Sequence, residues 1–295
     1  MRSGFVSFVG RPNVGKSTLI NRLVGTKIAI TSDKAQTTRN VIQGIYNDDD
    51  SQIVFVDTPG IHKPSNKLGQ ILNKGAYYSI EDVDIVCFIV DAKAGLGRGD
   101  KYILERLKQI DKPVILLINK IDGLSKDEVF LKINEYKDLY DFKEIVPISA
   151  LKGNNTDELI KTIKEYLKDD IKYFEDDMIT NRSIKFMIGE IVREKILNLT
   201  KEEVPHSVTC TVEKIIKDKD KNIINVAIIV DRDSLKKIII GKNGQMVKKI
   251  GTLARTDIEE LLKTKVYLEL YVKTIEKWRD REKYLSELEF KDFME

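Results

Sequence analysis

Gly10-Arg11-Pro12-Asn13-Val14-Gly15-Lys16-Ser17 decides the fold of the first half of this 295-residue chain. The run before it, Gly4-Phe5-Val6-Ser7-Phe8-Val9, is short, apolar and β-prone. The run after it, Thr18-Leu19-Ile20-Asn21-Arg22-Leu23, has helical apolar spacing. Strand, Gly-rich loop and helix in that order form a phosphate-binding loop. Gly10 and Gly15 let the backbone curl so that N–H groups point inward at phosphate oxygens, and the helix adds the positive end of its dipole. Lys16 can reach β- and γ-phosphates, and the Ser17 hydroxyl can ligate Mg²⁺.

Outward from this loop, residues 53–56, 85–90, 114–118 and 145–148 are runs apolar on both faces, separated by helix-like segments. Such runs predict an α/β domain with a mainly parallel sheet. Each run ends in a polar residue (Asp57, Asp91, Asn119, Ser149), and ligands of open α/β sheets bind beyond the carboxyl ends of the strands. Residues 168–180 are charge-rich and poor in aliphatics, and read as a linker. From residue 181 the order becomes α-β-β-α-α-β, an α+β pattern. Two domains are therefore expected, 1–167 and 181–295, the second with a C-terminal helix.

The net charge of +3 is too small to argue for a nucleic-acid partner, so local clustering has to carry that case. Cys87 and Cys210 sit in apolar and alternating runs and read as small buried hydrophobes in a reduced compartment. The first strand begins within five residues of the N-terminus, and no apolar run approaches the ~20 residues of a membrane span. A cytoplasmic location and a monomer are the expectations.

Asn119-Lys120-Ile121-Asp122 selects the base. A carboxylate at Asp122 can accept from both N1–H and N2–H₂ of guanine, and adenine would leave it unpaired. Asn119 can meet the other edge of the base, and the Lys120 stem can lie along the ring. Ser149-Ala150-Leu151 would complete the pocket through a backbone N–H near Ala150. In Asp57-Thr58-Pro59-Gly60, Asp57 is placed to hold Mg²⁺ through water and the Gly60 N–H to bond the γ-phosphate. Thr38 is the preferred further Mg²⁺ ligand, with Thr37 the alternative.

Ile240-Gly241-Lys242-Asn243-Gly244 joins two predicted helices in the second half. A Gly-x-x-Gly turn there lets an RNA backbone approach, and Lys242 and Lys248 belong to a basic cluster with Lys236, Lys237 and Lys249. Ile239 and Ile240 divide between core and base contact in a way the pattern leaves open. Trp278 is better explained by a packed amphipathic helix than by base stacking.

The phosphate loop, Asp57-Thr58-Pro59-Gly60, Thr37-Thr38-Arg39 and Asn119-Lys120-Ile121-Asp122 together resemble the Era class of Ras-like GTPases over residues 4–167, and the second half resembles a type II KH domain. The resemblance implies a slow GTPase that binds 16S ribosomal RNA near its 3′ end, assists 30S subunit assembly and associates peripherally with the membrane. A GTP-regulated membrane or cell-cycle scaffold protein is the competing expectation. Many GTPases orient the attacking water with a Gln after the Asp-x-x-Gly element, and this chain carries Ile61 there, with His62 next. Era-like GTPases share such a hydrophobic residue. In some related GTPases an Asn at the position of Asn13 ligates K⁺ between the phosphates, and a plain loop-forming role is the alternative. Lys16, Thr38, Gly60 and Asn13 are then the groups expected to act on the γ-phosphate.

Overall fold

The computed structural model describes residues 1–34, 37–60, 64, 66–218, 221–288 and 290. The chain divides into two compact units, one of Met1–Ala29, Thr38–Pro64 and Gly69–Asn181, the other of Ile30–Thr37, Ser65–Leu68 and Arg182–Glu295. The first unit contains β1 (Arg2–Val9), α1 (Lys16–Val24), β2 (Ile42–Asn47), β3 (Ser51–Asp57), most of α2 (Lys67–Glu81), β4 (Ile85–Asp91) and α3 (Arg98–Leu107). It continues through β5 (Val114–Asn119), α4 (Lys126–Tyr136), β6 (Glu144–Pro147) and α5 (Thr156–Tyr166). Its sheet runs β2-β3-β1-β4-β5-β6, with β2 antiparallel to β3 and the other neighbours parallel. Every residue of β3 and β5 is buried, as a parallel strand covered on both faces requires. The α/β architecture expected from the apolar runs is the one observed.

The segment 168–180 is no free linker. The Ser3 N–H donates to the Asp169 carbonyl at 2.8 Å, and the Ile45 N–H on edge strand β2 to the Ile179 carbonyl at 3.0 Å. The buried side chain of Gln52 donates to the Phe174 carbonyl and accepts from the Tyr173 and Phe174 N–H groups, all within 2.9 Å. Satisfied backbone bonds, not aliphatic content, hold this strap, which is why its composition misleads. It also covers part of an otherwise open sheet edge.

The second unit contains α6 (Ile184–Leu199), α7 (Val204–Ser207), β7 (Thr209–Lys217), β8 (Asn222–Val230), α8 (Asp233–Ile240), α9 (Gln245–Leu262), β9 (Val266–Thr274) and α10 (Glu282–Glu287). Its sheet order is β7-β8-β9, antiparallel then parallel. The core gathers Ile188, Val192 and Ile196 of α6 with Ile224, Val226 and Ile228 of β8, Ile239 of α8 and Ile250, Ala254 and Ile258 of α9. Ile30, from the first half of the chain, joins the same core. Nearby, the Thr31 N–H donates to Glu194 Oε1 at 2.9 Å, and the Arg193 guanidinium donates to the Thr37 carbonyl.

Trp278 lies in a 3-10 turn, Trp278–Asp280, and not on the expected amphipathic helix. It is fully buried, donates Nε1–H to the Ser207 carbonyl at 2.9 Å, and stacks at 6.3 Å on Phe290. A base cannot reach it. Trp278→Ala should therefore destabilise the chain by about 3–5 kcal/mol, as read by far-UV circular dichroism in urea.

Candidate functional site

Residues 10–17 link the C-terminal end of β1 to the N-terminus of α1, and Gly15 caps that helix at φ 104°. A Cβ on Gly15 would stand 2.2 Å from Asn119 Nδ2, and one on Gly10 2.5 Å from the Ile89 carbonyl oxygen, so both positions need glycine. Asn13 adopts a left-handed φ of 65°. Three side chains grip the loop's carbonyls. Lys120 Nζ donates to the Asn13 carbonyl at 2.7 Å and pairs with Asp91 at 2.6 Å. Asn119 Nδ2 donates to the Val14 carbonyl at 2.7 Å. Lys16 Nζ, buried, donates to the Gly10 and Arg11 carbonyls at 3.1 Å each.

At the end of β3, Ser17 Oγ donates to Asp57 Oδ2 at 2.8 Å and Thr38 Oγ1 to the same oxygen at 3.1 Å, the two hydroxyls lying 2.9 Å apart. Asp57 is fully buried, and its Oδ1 has no hydrogen-bond partner among the described residues. Burial pushes the Asp57 carboxyl up, against the pull of Lys16, Ser17 and Thr38. Burial likewise lowers the Lys16 ammonium from 10.5 to about 8, only partly opposed by Asp57. Two hydroxyls and a carboxylate with an unused oxygen are a donor set suited to a hard divalent cation. Thr38, not Thr37, joins this group. The Thr37 hydroxyl donates instead to the Lys34 carbonyl at 2.6 Å. Thr58 Oγ1 donates to the Phe8 carbonyl at 3.0 Å, and a Cβ on Gly60 would come 3.0 Å from Pro12 Cγ, so residues 58–60 lie against the phosphate loop. Ile61 and His62 fall outside the described residues.

The Asn119 carbonyl accepts the Ala150 N–H at 2.9 Å, so this nearly buried amide ties the phosphate loop to the loop after β6 and keeps one amide hydrogen for a ligand. The Ala150 N–H, expected to meet the base, is spent on that bond. Asp122 accepts the Ser149 hydroxyl at 2.6 Å, which holds its carboxyl below the usual range and ionised. The Ile121 N–H donates to the Ile148 carbonyl at 3.3 Å, and exposed Leu151 offers its carbonyl to Arg22 at 2.7 Å. Arg22 and Asp91 were not among the expected site residues. Only the polar end of β4 hinted at the second.

In the second unit, Gly241 and Gly244 have φ of 71° and 74°, and Asn243 between them 50°. Lys242 and Asn243 are exposed. Ile239 is buried, Ile240 half-buried and Ile238 exposed, so the core share of this run falls to Ile239. Beside the turn lies a groove of about 310 Å³, with Lys248, Gly251, Thr252 and Arg255 of α9 on one wall and Tyr267 and Leu270 of β9 on the other. Lys221 Nζ sits 5.5 Å over the Tyr267 ring. Of these only Lys248 was expected. Positions 248, 251, 252 and 255 share one helical face, a spacing that could have revealed the rest.

A family model described as a 50S ribosome-binding GTPase matches residues 5–120, and one for the KH domain matches residues 203–279. The chain is 44% identical to a variant of Era from Aquifex aeolicus, solved bound to GDP and aluminium fluoride, covering 98% of this chain and 99% of that one with a TM-score of 0.95. The same values hold for Era solved in complex with MgGDPNP and nucleotides 1506–1542 of 16S ribosomal RNA.

A lysine that binds fewer protons when folded penalises folding below about pH 8, and the penalty fades as pH rises from there toward 10.5. Ligand-free protein should gain stability across that window. Lys16→Met should raise its stability at pH 7 by about 1–3 kcal/mol while abolishing GDP binding. Urea titrations on both sides of the window check the sign.

Proposed function

The chain belongs to the Era family of GTPases, and on that premise we infer that it is a GTP-hydrolysing switch that binds 16S ribosomal RNA near its 3′ end and assists small-subunit assembly. The observation that carries the nucleotide half is the meeting of Ser17, Thr38 and Asp57 within 3.1 Å of one another, beside buried Lys16. Buried charge is costly, and a site that holds it without a full set of partners is built for a charged ligand.

In this reading the inward N–H groups of residues 10–17, those of Arg11 and Val14 included, cradle the phosphates, Pro12, which has no N–H, shapes the loop between them, and Lys16 spans the β- and γ-phosphates. Ser17, Thr38 and Asp57 would hold Mg²⁺, Asp57 through water, and the unused Oδ1 of Asp57 leaves the carboxylate free to do so. Mg²⁺, when bound, neutralises charge building on the β- and γ-phosphate oxygens. Asp122, kept ionised by Ser149, reads N1–H and N2–H₂ of guanine. Asn119 and Lys120 hold the base loop and the phosphate loop in register, with the Lys120 stem along the ring. Residues 58–60 lie against Pro12, which supports a bond from the Gly60 N–H to the γ-phosphate.

Ile61 offers no hydrogen bond to water. Asn13 is assigned K⁺, whose charge would replace an arginine finger. GTP hydrolysis in K⁺ buffer should exceed that in Na⁺ buffer about tenfold or more, and Asn13→Ala should erase the difference. Equal wild-type rates would remove K⁺ from the mechanism.

In the second unit, single-stranded RNA of about four nucleotides crosses the turn at 241–244. Gly241, Lys242, Asn243 and Gly244 meet its backbone, and Ile240 and Lys248 line its path. A Cβ on Gly241 would stand 2.7 Å from Met246 Cβ, so Gly241→Asp adds both a clash and a negative charge. RNA affinity should fall by about a hundredfold, with folding checked by circular dichroism. The competing membrane or scaffold reading gains no support from a unit that carries this turn and groove. Among the described residues no helix is long and apolar enough to cross a membrane.

Coupling of the two activities is part of the proposal. Thr38 directly follows Ile30–Thr37, a segment that clusters with the second unit. RNA affinity should therefore differ between the GTP- and GDP-bound forms. Equal filter-binding affinities at matched salt would count against coupling.

A further inference from the structure

Arg11 is the one charged residue of the phosphate loop besides Lys16, yet its guanidinium is committed elsewhere. Nε donates to Asp100 Oδ1 at 2.9 Å, and Nη2 to the Gly95 carbonyl at 3.0 Å. Asp100 is fully buried, and its other oxygen accepts the Gly97 N–H at 2.8 Å. Both carboxylate oxygens are therefore used, one on the phosphate loop and one on the N-terminus of α3. The chain between them, Gly95-Leu96-Gly97-Arg98-Gly99-Asp100, is cut to the shape of this arginine. Gly95, at φ 66°, turns its carbonyl to Nη2. A Cβ on Gly97 would stand 2.5 Å from Nη1, and one on Gly99 2.8 Å from Cγ and Cδ.

A buried aspartate serving one exposed helix terminus would be an expensive way to cap it. Its use is explained by the loop it grips. The carbonyls of Asn13 and Val14 are already held by Lys120 and Asn119, at the end of β5, and those of Gly10 and Arg11 by Lys16. The Arg11 side chain ties the loop's entry to the chain before α3, and it is held by side-chain geometry that only a guanidinium fits.

We propose that Asp100, with the glycine slot at 95–99, positions the phosphate loop through Arg11 and thereby sets how long a guanine nucleotide stays bound. The Arg11 guanidinium acts here as a positioning group, not a phosphate ligand. The inference rests on the nucleotide-binding reading above.

Three variants perturb the anchor differently. Arg11→Lys keeps the charge but cannot serve Asp100 and Gly95 together. Asp100→Asn keeps the shape and an acceptor for Gly97. Gly97→Ala leaves both charged groups in place and fills the slot, at a φ of −100° that alanine tolerates. Dissociation of a fluorescent GDP analogue, followed by stopped flow, should speed up about tenfold in all three, while the urea midpoint of the ligand-free chain stays within the scatter of the wild type for Gly97→Ala. Faster release in Arg11→Lys alone would mean that the Arg11 side chain touches the nucleotide directly, and would overturn the proposal. Unchanged release in all three would overturn it too, leaving a purely structural ion pair. So would release rates that change only in proportion to lost stability. A wild-type chain that binds no GDP analogue would instead refute the nucleotide reading itself.

Discussion

Everything in the first unit depends on keeping Lys16 and Asp57 out of water. Neither group is comfortable there. Burial drives the lysine down to about 8 and the carboxyl up. What makes the arrangement tolerable is dense hydrogen bonding around each group. Two backbone carbonyls serve Lys16 Nζ, and two hydroxyls serve one oxygen of Asp57. Parallel pairing of β1 with β3, with Phe8 opposite Asp57, brings the strand ends that carry these groups side by side. The sheet is thus the device that stores an electrostatic demand, and a phosphate with its cation is what answers it.

The same edge of the sheet carries the remaining contacts of the site. Asp91 at the end of β4 orients Lys120, and Asn119 at the end of β5 bridges two loops at once. Polar residues at the carboxyl ends of buried strands would ordinarily be a liability. Here Asp57 meets two hydroxyls, Asp91 the Lys120 ammonium, and Asn119 backbone groups of two loops, so the loops are fixed by strands rather than by their own packing. The second unit works by the opposite rule. Its groove is walled by Leu270 and the Tyr267 ring, with Lys248 and Arg255 along one side. Leu270 Cδ1 lies 3.3 Å from where a Cβ on Gly251 would stand, so the leucine packs closely over this face of α9. An apolar wall with cations beside it suits a ligand with flat bases and a charged backbone.

Much of this was legible in the residues before any coordinates. The strand-loop-helix context of residues 10–17, the polar strand ends and the α-β-β-α-α-β order all rest on local periodicity, which folding preserved. What misled was composition without partners. The charged stretch 168–180 read as a linker because its aliphatic content is low, but Gln52 and the edge of β2 supply the bonds that hold it. Trp278 read as a helix residue, and is instead the buried plug of a 3-10 turn. Ile238, Ile239 and Ile240 are identical in sequence terms, and only the placement of α8 on its sheet sends the middle one into the core.

The sequence by itself determined the class of ligand, because phosphate cradling and guanine reading need particular side chains at particular spacings along one stretch of chain. It also determined the two architectures, since periods of two and three to four residues are local properties. Tertiary structure alone decided which hydroxyl, Thr38 or Thr37, joins Ser17 at Asp57, and that Ala150 spends its N–H on Asn119. It alone turned Arg11 toward Asp100, 89 positions along the chain. The reason is one of range. A hydrogen bond is fixed by distances of about 3 Å, and residues far apart in sequence reach such distances only once strands, helices and loops have been set against one another.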